Sequence, residues 1–79
     1  MQSDPPPDEV THRLRLIGRR IRVHREALGL SQDELGERAG LGGGRIDQVE
    51  QGADDVNLDD LLRIEYVLDV PLAELVADV

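Results

Sequence analysis

Apolar residues recur along this chain at a spacing near 3.6, and every break between the runs carries a residue that starts or stops a helix. Leu14, Ile17, Ile21, His24 and Leu28 share one side of a first helix, expected from about Asp8 or Thr11 to Leu28 and stopped by Gly29-Leu30. Ser31-Gln32-Asp33-Glu34 reads as a capping box, with the Ser31 hydroxyl taking the Glu34 amide and the Glu34 carboxylate reaching back. A second helix therefore starts here and ends at Ala39-Gly40. A third is expected from about Gly43 to Gln51, stopped by Gly52. Asn57 caps a fourth, Leu58 to Leu68, whose first turn holds Asp59 and Asp60 where the helix dipole favours acids. Its expected inner stripe is Leu58, Leu61, Leu62, Ile64 and Leu68. A last short helix opens at Pro71, tolerated in a first turn, and carries Leu72, Leu75 and Val76. The pattern predicts an all-α fold of five helices.

The middle of the chain has a tighter signature. Residues 31–52, SQDELGERAGLGGGRIDQVEQG, carry the skeleton of a helix-turn-helix over residues 32–51. Leu35 and Ala39 line the inner face of its first helix, and Ile46 and Val49 that of its second. A small residue at Gly36 lets the two helices approach, and Gly40 can take the positive φ that ends the first abruptly. The second helix, however, opens on Gly42-Gly43-Gly44, where a reader of nucleic acid would carry side chains.

Composition narrows the picture. Seventy-nine residues with a single aromatic, Tyr66, make one small domain with a core of Leu, Ile, Val and Ala. The absence of cysteine removes disulfides and thiolate zinc ligation, and His12 and His24 stand at opposite ends of one helix, so no metal site is expected. No catalytic constellation and no phosphate-loop pattern appears, so neither an enzyme nor a cofactor is expected. No apolar run approaches a membrane span, and MQSDPPPDEV is acidic and proline-rich rather than basic and apolar, which favours a cytoplasmic protein. Residues 1–10 read as a flexible arm and residues 11–79 as the helix-turn-helix domain.

Charge divides near residue 30. Residues 1–30 hold six arginines and four acids, and residues 31–79 hold three arginines and thirteen acids, within a net charge of −8. The half that contains the helix-turn-helix is thus the acidic one, opposite to the basic face that phosphate neutralisation asks for. Arg13, Arg15, Arg19, Arg20, Arg22 and Arg25, with no acid among residues 10–25, form the exception.

IGRRIRVHREALGLSQDELGERAGL, followed by RIDQVEQG and NLDDLLRIEYVLDVPLAEL, resembles the Cro/C1-type (phage-repressor-like, XRE) helix-turn-helix family over about residues 16–75. The resemblance implies a five-helix, lambda-repressor-like DNA-binding domain. It implies a structural ion pair between Arg25 and Glu50, tying the first helix to the end of the third. Gln32 then stands where relatives touch phosphate, and Arg45 and Gln48 are the side chains left for base edges, since glycine has none. The loop Ala53-Asp54-Asp55 replaces the Lys or Arg that relatives carry to the backbone, and would repel phosphate. The resemblance also implies a homodimer formed through the last two helices, where Tyr66, Val67, Val76 and Val79 are more apolar surface than five helices cover.

Two functions follow. The first is a small transcriptional regulator that binds double-stranded DNA, weakly and as a dimer. The second is a repressor-like fold turned to a protein partner through its acidic half or its arginine-rich first helix. Two core departures add a narrower expectation: His24 and Glu65, on neighbouring helices, either bond locally or meet as an imidazole–carboxylate pair. Since Gly43 and Gly44 each weaken a helix by about 1 kcal/mol relative to alanine, replacing both by glutamine is expected to leave the fold intact or firmer.

Overall fold

The computed structural model describes residues 7–79, and within them the chain forms five helices and no strand: α1 (Pro7–Ala27), α2 (Gln32–Ala39), α3 (Gly43–Glu50), α4 (Leu58–Leu68) and α5 (Leu72–Val76). The first six residues, most of the expected arm, lie outside the described residues, while α1 already includes residues 7–10. Proline is suited to that first helical position, because its missing N–H would have no intrahelical acceptor there.

The terminal signals act as the residues dictate. Ser31 Oγ accepts from the Glu34 N–H at 3.0 Å, and Glu34 Oε1 accepts from the Ser31 N–H at 2.9 Å. These bonds to Ser31 hold the Glu34 carboxyl below its usual range. Gly40 closes α2 in the left-handed region at φ 73°. Asn57 caps α4 with a partner that composition alone does not flag: Asp60, normally too short for the role, completes a second capping box.

Ile21, Leu35, Ile46, Val49, Ile64, Leu68 and Leu75 form one core cluster drawn from all five helices, with Ile17, Leu41, Leu61 and Leu72 packed against it. The expected stripes differ from the buried ones at their edges. Leu28 is exposed because α1 ends at Ala27 and the chain has already turned. On α4, Leu58 and Leu62 are exposed while Asp60 is buried. At 100° per residue, positions 60, 61, 64 and 68 share one side and Leu58 and Leu62 fall on the other, so the apolar set expected there belongs to two faces.

Two glycines set how closely the helices approach. A Cβ at Gly36 would lie 2.2 Å from the Gly42 carbonyl carbon, and a Cβ at Gly18 would lie 2.4 Å from the Glu50 carbonyl oxygen. Backbone thus packs on backbone at both places. The role of Gly36 was legible from its spacing; Gly18 shows only as an isolated glycine inside a helical run. Gly43 is also tight, since its Cβ would meet Asp33, 1.8 Å from Oδ1 and 2.9 Å from Cα. This overturns the expectation that glutamine at both Gly43 and Gly44 leaves the fold intact or firmer. Of the two, Gly44 alone has open space around it.

The His24–Glu65 pair does not form. Glu65 Oε2 accepts instead from the Leu72 N–H, capping the short α5 that has no cap of its own at Pro71. Arg20 closes the other end of α5 from α1, with Nη1 directed at the carbonyls of Glu74 and Leu75, each at 3.4 Å, and of Ala77. A guanidinium at a helix C-terminus is favoured by the helix dipole.

Two predictions test this packing. Gly44→Ala should raise stability by up to about 1 kcal/mol, as expected for a helix glycine in open space, whereas Gly36→Ala and Gly43→Ala should lower it. Urea unfolding midpoints for the three variants measure the order directly.

Candidate nucleic-acid interface

The exposed edge of the helix-turn-helix is built on a buried ion pair. Arg25, 8% exposed, donates from Nε to Glu50 Oε2 at 2.7 Å and from Nη2 to Oε1 at 3.1 Å, while Nη1 donates to the Leu30 carbonyl at 2.7 Å. Hydrogen bonding to Glu50 pushes the Arg25 pKa up despite its burial. One guanidinium therefore joins α1, the turn before α2 and the end of α3.

The network continues outward from Glu50. Gln32, the first residue of α2, donates from Nε2 to both Glu50 Oε1 and Asp47 Oδ1, each at 3.1 Å. Gln51 Nε2 donates to Asp47 Oδ2 at 2.8 Å. Those two amides, Gln51 first, hold the Asp47 carboxyl below its ordinary range. The link is therefore intact at neutral pH and is lost as pH falls through that lowered value. These side chains, with Arg22, Arg25 and Ser31, line a groove of ≈ 520 Å³ where α1, α2 and α3 meet.

Arg45 takes a position that the sequence does not reveal. Its guanidinium turns away from the groove toward the start of α4, where Nη2 donates to Asp60 Oδ2 at 2.6 Å and to the Asp55 carbonyl at 3.2 Å, and Nη1 donates to Asp55 Oδ1 at 3.0 Å. The two carboxylates raise its pKa, Asp60 most. Asp60 is 5% exposed, so this is a structural tie between α3 and α4 as well as a candidate base contact. Arg45 Nη1 also donates to Gln48 Oε1 at 3.1 Å, leaving the Gln48 NH2 group without a partner among the described residues. Gln48 and Gly44 are exposed on the outer face of α3. No cluster of His, Asp and Glu suited to a metal ion occurs among the described residues.

Of the four residues expected at a dimer surface, Tyr66 is 87% exposed and Val76 is exposed, while Val67 is half-buried against the core and Val79 is half-buried. Leu58 and Leu62 join Tyr66 at four-residue spacing on the outer side of α4. Periodicity alone places these two leucines inward, and the packing of α4 turns them out.

A two-helix unit with this turn, this ion pair and this cap defines a class of protein. The family model described as a helix-turn-helix domain matches residues 16–77, and the chain belongs to that family, in its Cro/C1-type branch. Among curated relatives, an uncharacterized HTH-type transcriptional regulator of Sinorhizobium medicae and one of Rhizobium meliloti are each 39% identical over 57 residues, 72% of this chain. The aligned region spans 41% of those relatives' length. Among solved structures, the P22 c2 repressor in complex with a synthetic operator is similar at TM-score 0.72 and 31% identity, covering 78% of this chain and 94% of that one. The restriction-modification controller protein C.AhdI from Aeromonas hydrophila is similar at TM-score 0.73 and 34% identity, over 81% and 96% of the two chains. A chain of the SinR protein/SinI protein complex is similar at TM-score 0.73 and 30% identity, over 78% and 61%.

The double duty of Arg45 yields a prediction. Arg45→Ala should destabilise by about 2 kcal/mol, the scale of a lost hydrogen bond to a charged group, because it strands the buried Asp60. Thermal unfolding, with amide exchange in the first turn of α4 as the local readout, checks it; an unchanged melting temperature would mean that Asp60 needs no such partner.

Proposed function

We propose that the chain is a DNA-binding transcriptional regulator, or the DNA-binding part of one, acting in the cytoplasm as a homodimer. The observation that carries this reading is the placement of α3. It is held against α1 and α2 by the Arg25–Glu50 pair and by backbone contacts at Gly18 and Gly36, with its outer residues exposed. The same fold accounts for 94% of a repressor chain bound to its operator. A helix of these dimensions fits the major groove of B-DNA. Helix-turn-helix dimers place two such helices on half-sites about 34–36 Å apart.

Within that reading, sequence discrimination rests on few groups. Gln48 offers its NH2 to base acceptors, Arg45 can reach a base only by exchanging Asp55 and Asp60, and Gln32 meets phosphate by exchanging Asp47. Each exchange draws on interaction energy that a freer side chain would keep, so binding is weak and sharply salt-dependent. The exposed apolar face of Leu58, Leu62 and Tyr66, together with Val76 on α5, supports association of two copies. The relatives do not favour the protein-binding alternative.

Binding-site selection from random duplexes should enrich a motif with two half-sites one helical turn apart, and Gln48→Ala should erode the preference within each half. Sedimentation at tens of micromolar should show a dimer that Tyr66→Asp dissociates. Absence of any enriched motif would overturn the DNA-binding reading, and a monomer at that concentration would overturn the dimer.

A further inference from the structure

We propose that Arg15, Arg19 and Arg22 of α1 form a phosphate-binding ridge that grips the DNA backbone beside the C-terminal end of α3. The duplex is then held from the α1 side instead of from the loop that follows α3. The inference rests on the DNA-binding reading above and locates the source of its electrostatic affinity.

The structure sorts the six clustered arginines by what they do. Arg25 is buried on Glu50, Arg20 closes α5, and Arg13 pairs with Glu9 at 3.1 Å. Arg15 and Arg19 make neither a hydrogen bond nor an ion pair among the described residues. Arg22 reaches only Glu26, at 3.3 Å, with side chains 62% and 54% exposed. An exposed pair of that kind contributes little and yields readily to a phosphate.

Geometry gathers the same three. At 100° and 1.5 Å per residue, positions 15, 19 and 22 fall within a sector of about 60° and along about 10 Å of helix axis. The stem of Arg15 lies against the end of α3, since a Cβ on Gly52 would come 2.6 Å from Arg15 Cγ. Arg15, Arg19 and Arg22 line a groove of ≈ 360 Å³ together with Glu50 and Gln51. That groove shares Arg22, Glu50 and Gln51 with the one that holds Gln32, so the ridge is continuous with the candidate interface. Glu50 does not cancel it: its carboxylate is 4% exposed and already engaged by Arg25 and Gln32.

The opposite flank repels phosphate. Asp54 is exposed on the loop after α3, and the exposed Asp55 and Asp59 with the buried Asp60 outnumber Arg45 and Arg63, which pair with them. A polyanion approaching α3 thus meets positive charge on one side and negative charge on the other, which selects the α1 side.

The test is fluorescence anisotropy of the whole chain with a labelled duplex of about two helical turns, between about 50 and about 200 mM salt. Each arginine that meets a phosphate contributes about 0.9 to the slope of log affinity against log salt. Arg19→Gln, which removes no hydrogen bond or ion pair among the described residues, should flatten the slope by about 0.9, and the triple Arg15→Gln, Arg19→Gln, Arg22→Gln variant by about 2.7. Lysines at the three positions should restore the slope, and Arg13→Gln, on the other side of α1, should leave it unchanged. Binding by the unmodified chain with the same slope in the Arg19 and triple variants would overturn the ridge and leave the DNA-binding reading standing. No binding of any duplex at the lower salt would overturn both. Equal affinity for polyglutamate and for the duplex at the same salt would overturn the ridge as a DNA contact in favour of an acidic protein partner.

Discussion

The arrangement depends on one buried guanidinium. Arg25 meets Glu50 with two hydrogen bonds and the Leu30 carbonyl with a third, so the first helix, the turn into the second and the end of the third are fixed by a single planar group. Desolvating such a pair costs about as much as its attraction returns, so its role lies in geometry more than in net stability. A planar fork accepts few alternative arrangements, and that restricts where α3 can sit relative to α1. Gln32, Asp47 and Gln51 then extend the same network to the surface. The exposed edge of the helix-turn-helix is therefore ordered by the interior it grows from.

Charge follows a different logic. The chain is acidic overall, yet its carboxylates are unevenly committed: Glu50 and Asp60 are buried on arginines, Glu34 caps α2, and Glu65 caps α5. Part of the negative charge is thus structural; Asp55 pairs with Arg45 while exposed, and Asp54 stands exposed beside α3. Net charge is a poor guide to a binding surface when so many acids serve as caps and ion-pair partners. What a polyanion senses is the residual pattern after those local commitments, and here that pattern is lopsided.

The elements were largely legible because their signals are local. Ser31 with Glu34, Asn57, Gly40 and the 3.6-residue spacing each act within a turn of their own position, and all five helices lie where those residues put them. The Arg25–Glu50 pair was legible only through family resemblance, since nothing local links residues so far apart. The site was less legible, for the same reason. Whether Arg45 points to a groove or to Asp60 depends on where α4 begins in space, and whether Glu65 meets His24 or the Leu72 amide depends on how α5 folds back. The two leucines misassigned on α4 show a related limit: a helix with apolar residues on two sides does not say which side is inward until its partners are placed. Gly43 shows another, since a glycine run looks uniform while only its first helical member is pressed against Asp33.

The contacts of Gly18 and Gly36 with carbonyl groups of neighbouring segments have a consequence for how such a domain changes its target. Because main chain touches main chain at both places, the docking angle of α3 is set without reference to the side chains on its outer face. Mounting and outer surface are thereby separated at Gly44 and Gln48, whereas Arg45 serves both. Gly44 and Gln48, the exposed outer positions of α3, are the exchangeable part on a fixed bracket, while Ile46 belongs to the core and Arg45 and Asp47 are tied to neighbouring segments. A chain built this way can exchange the side chains at those two positions and keep its architecture.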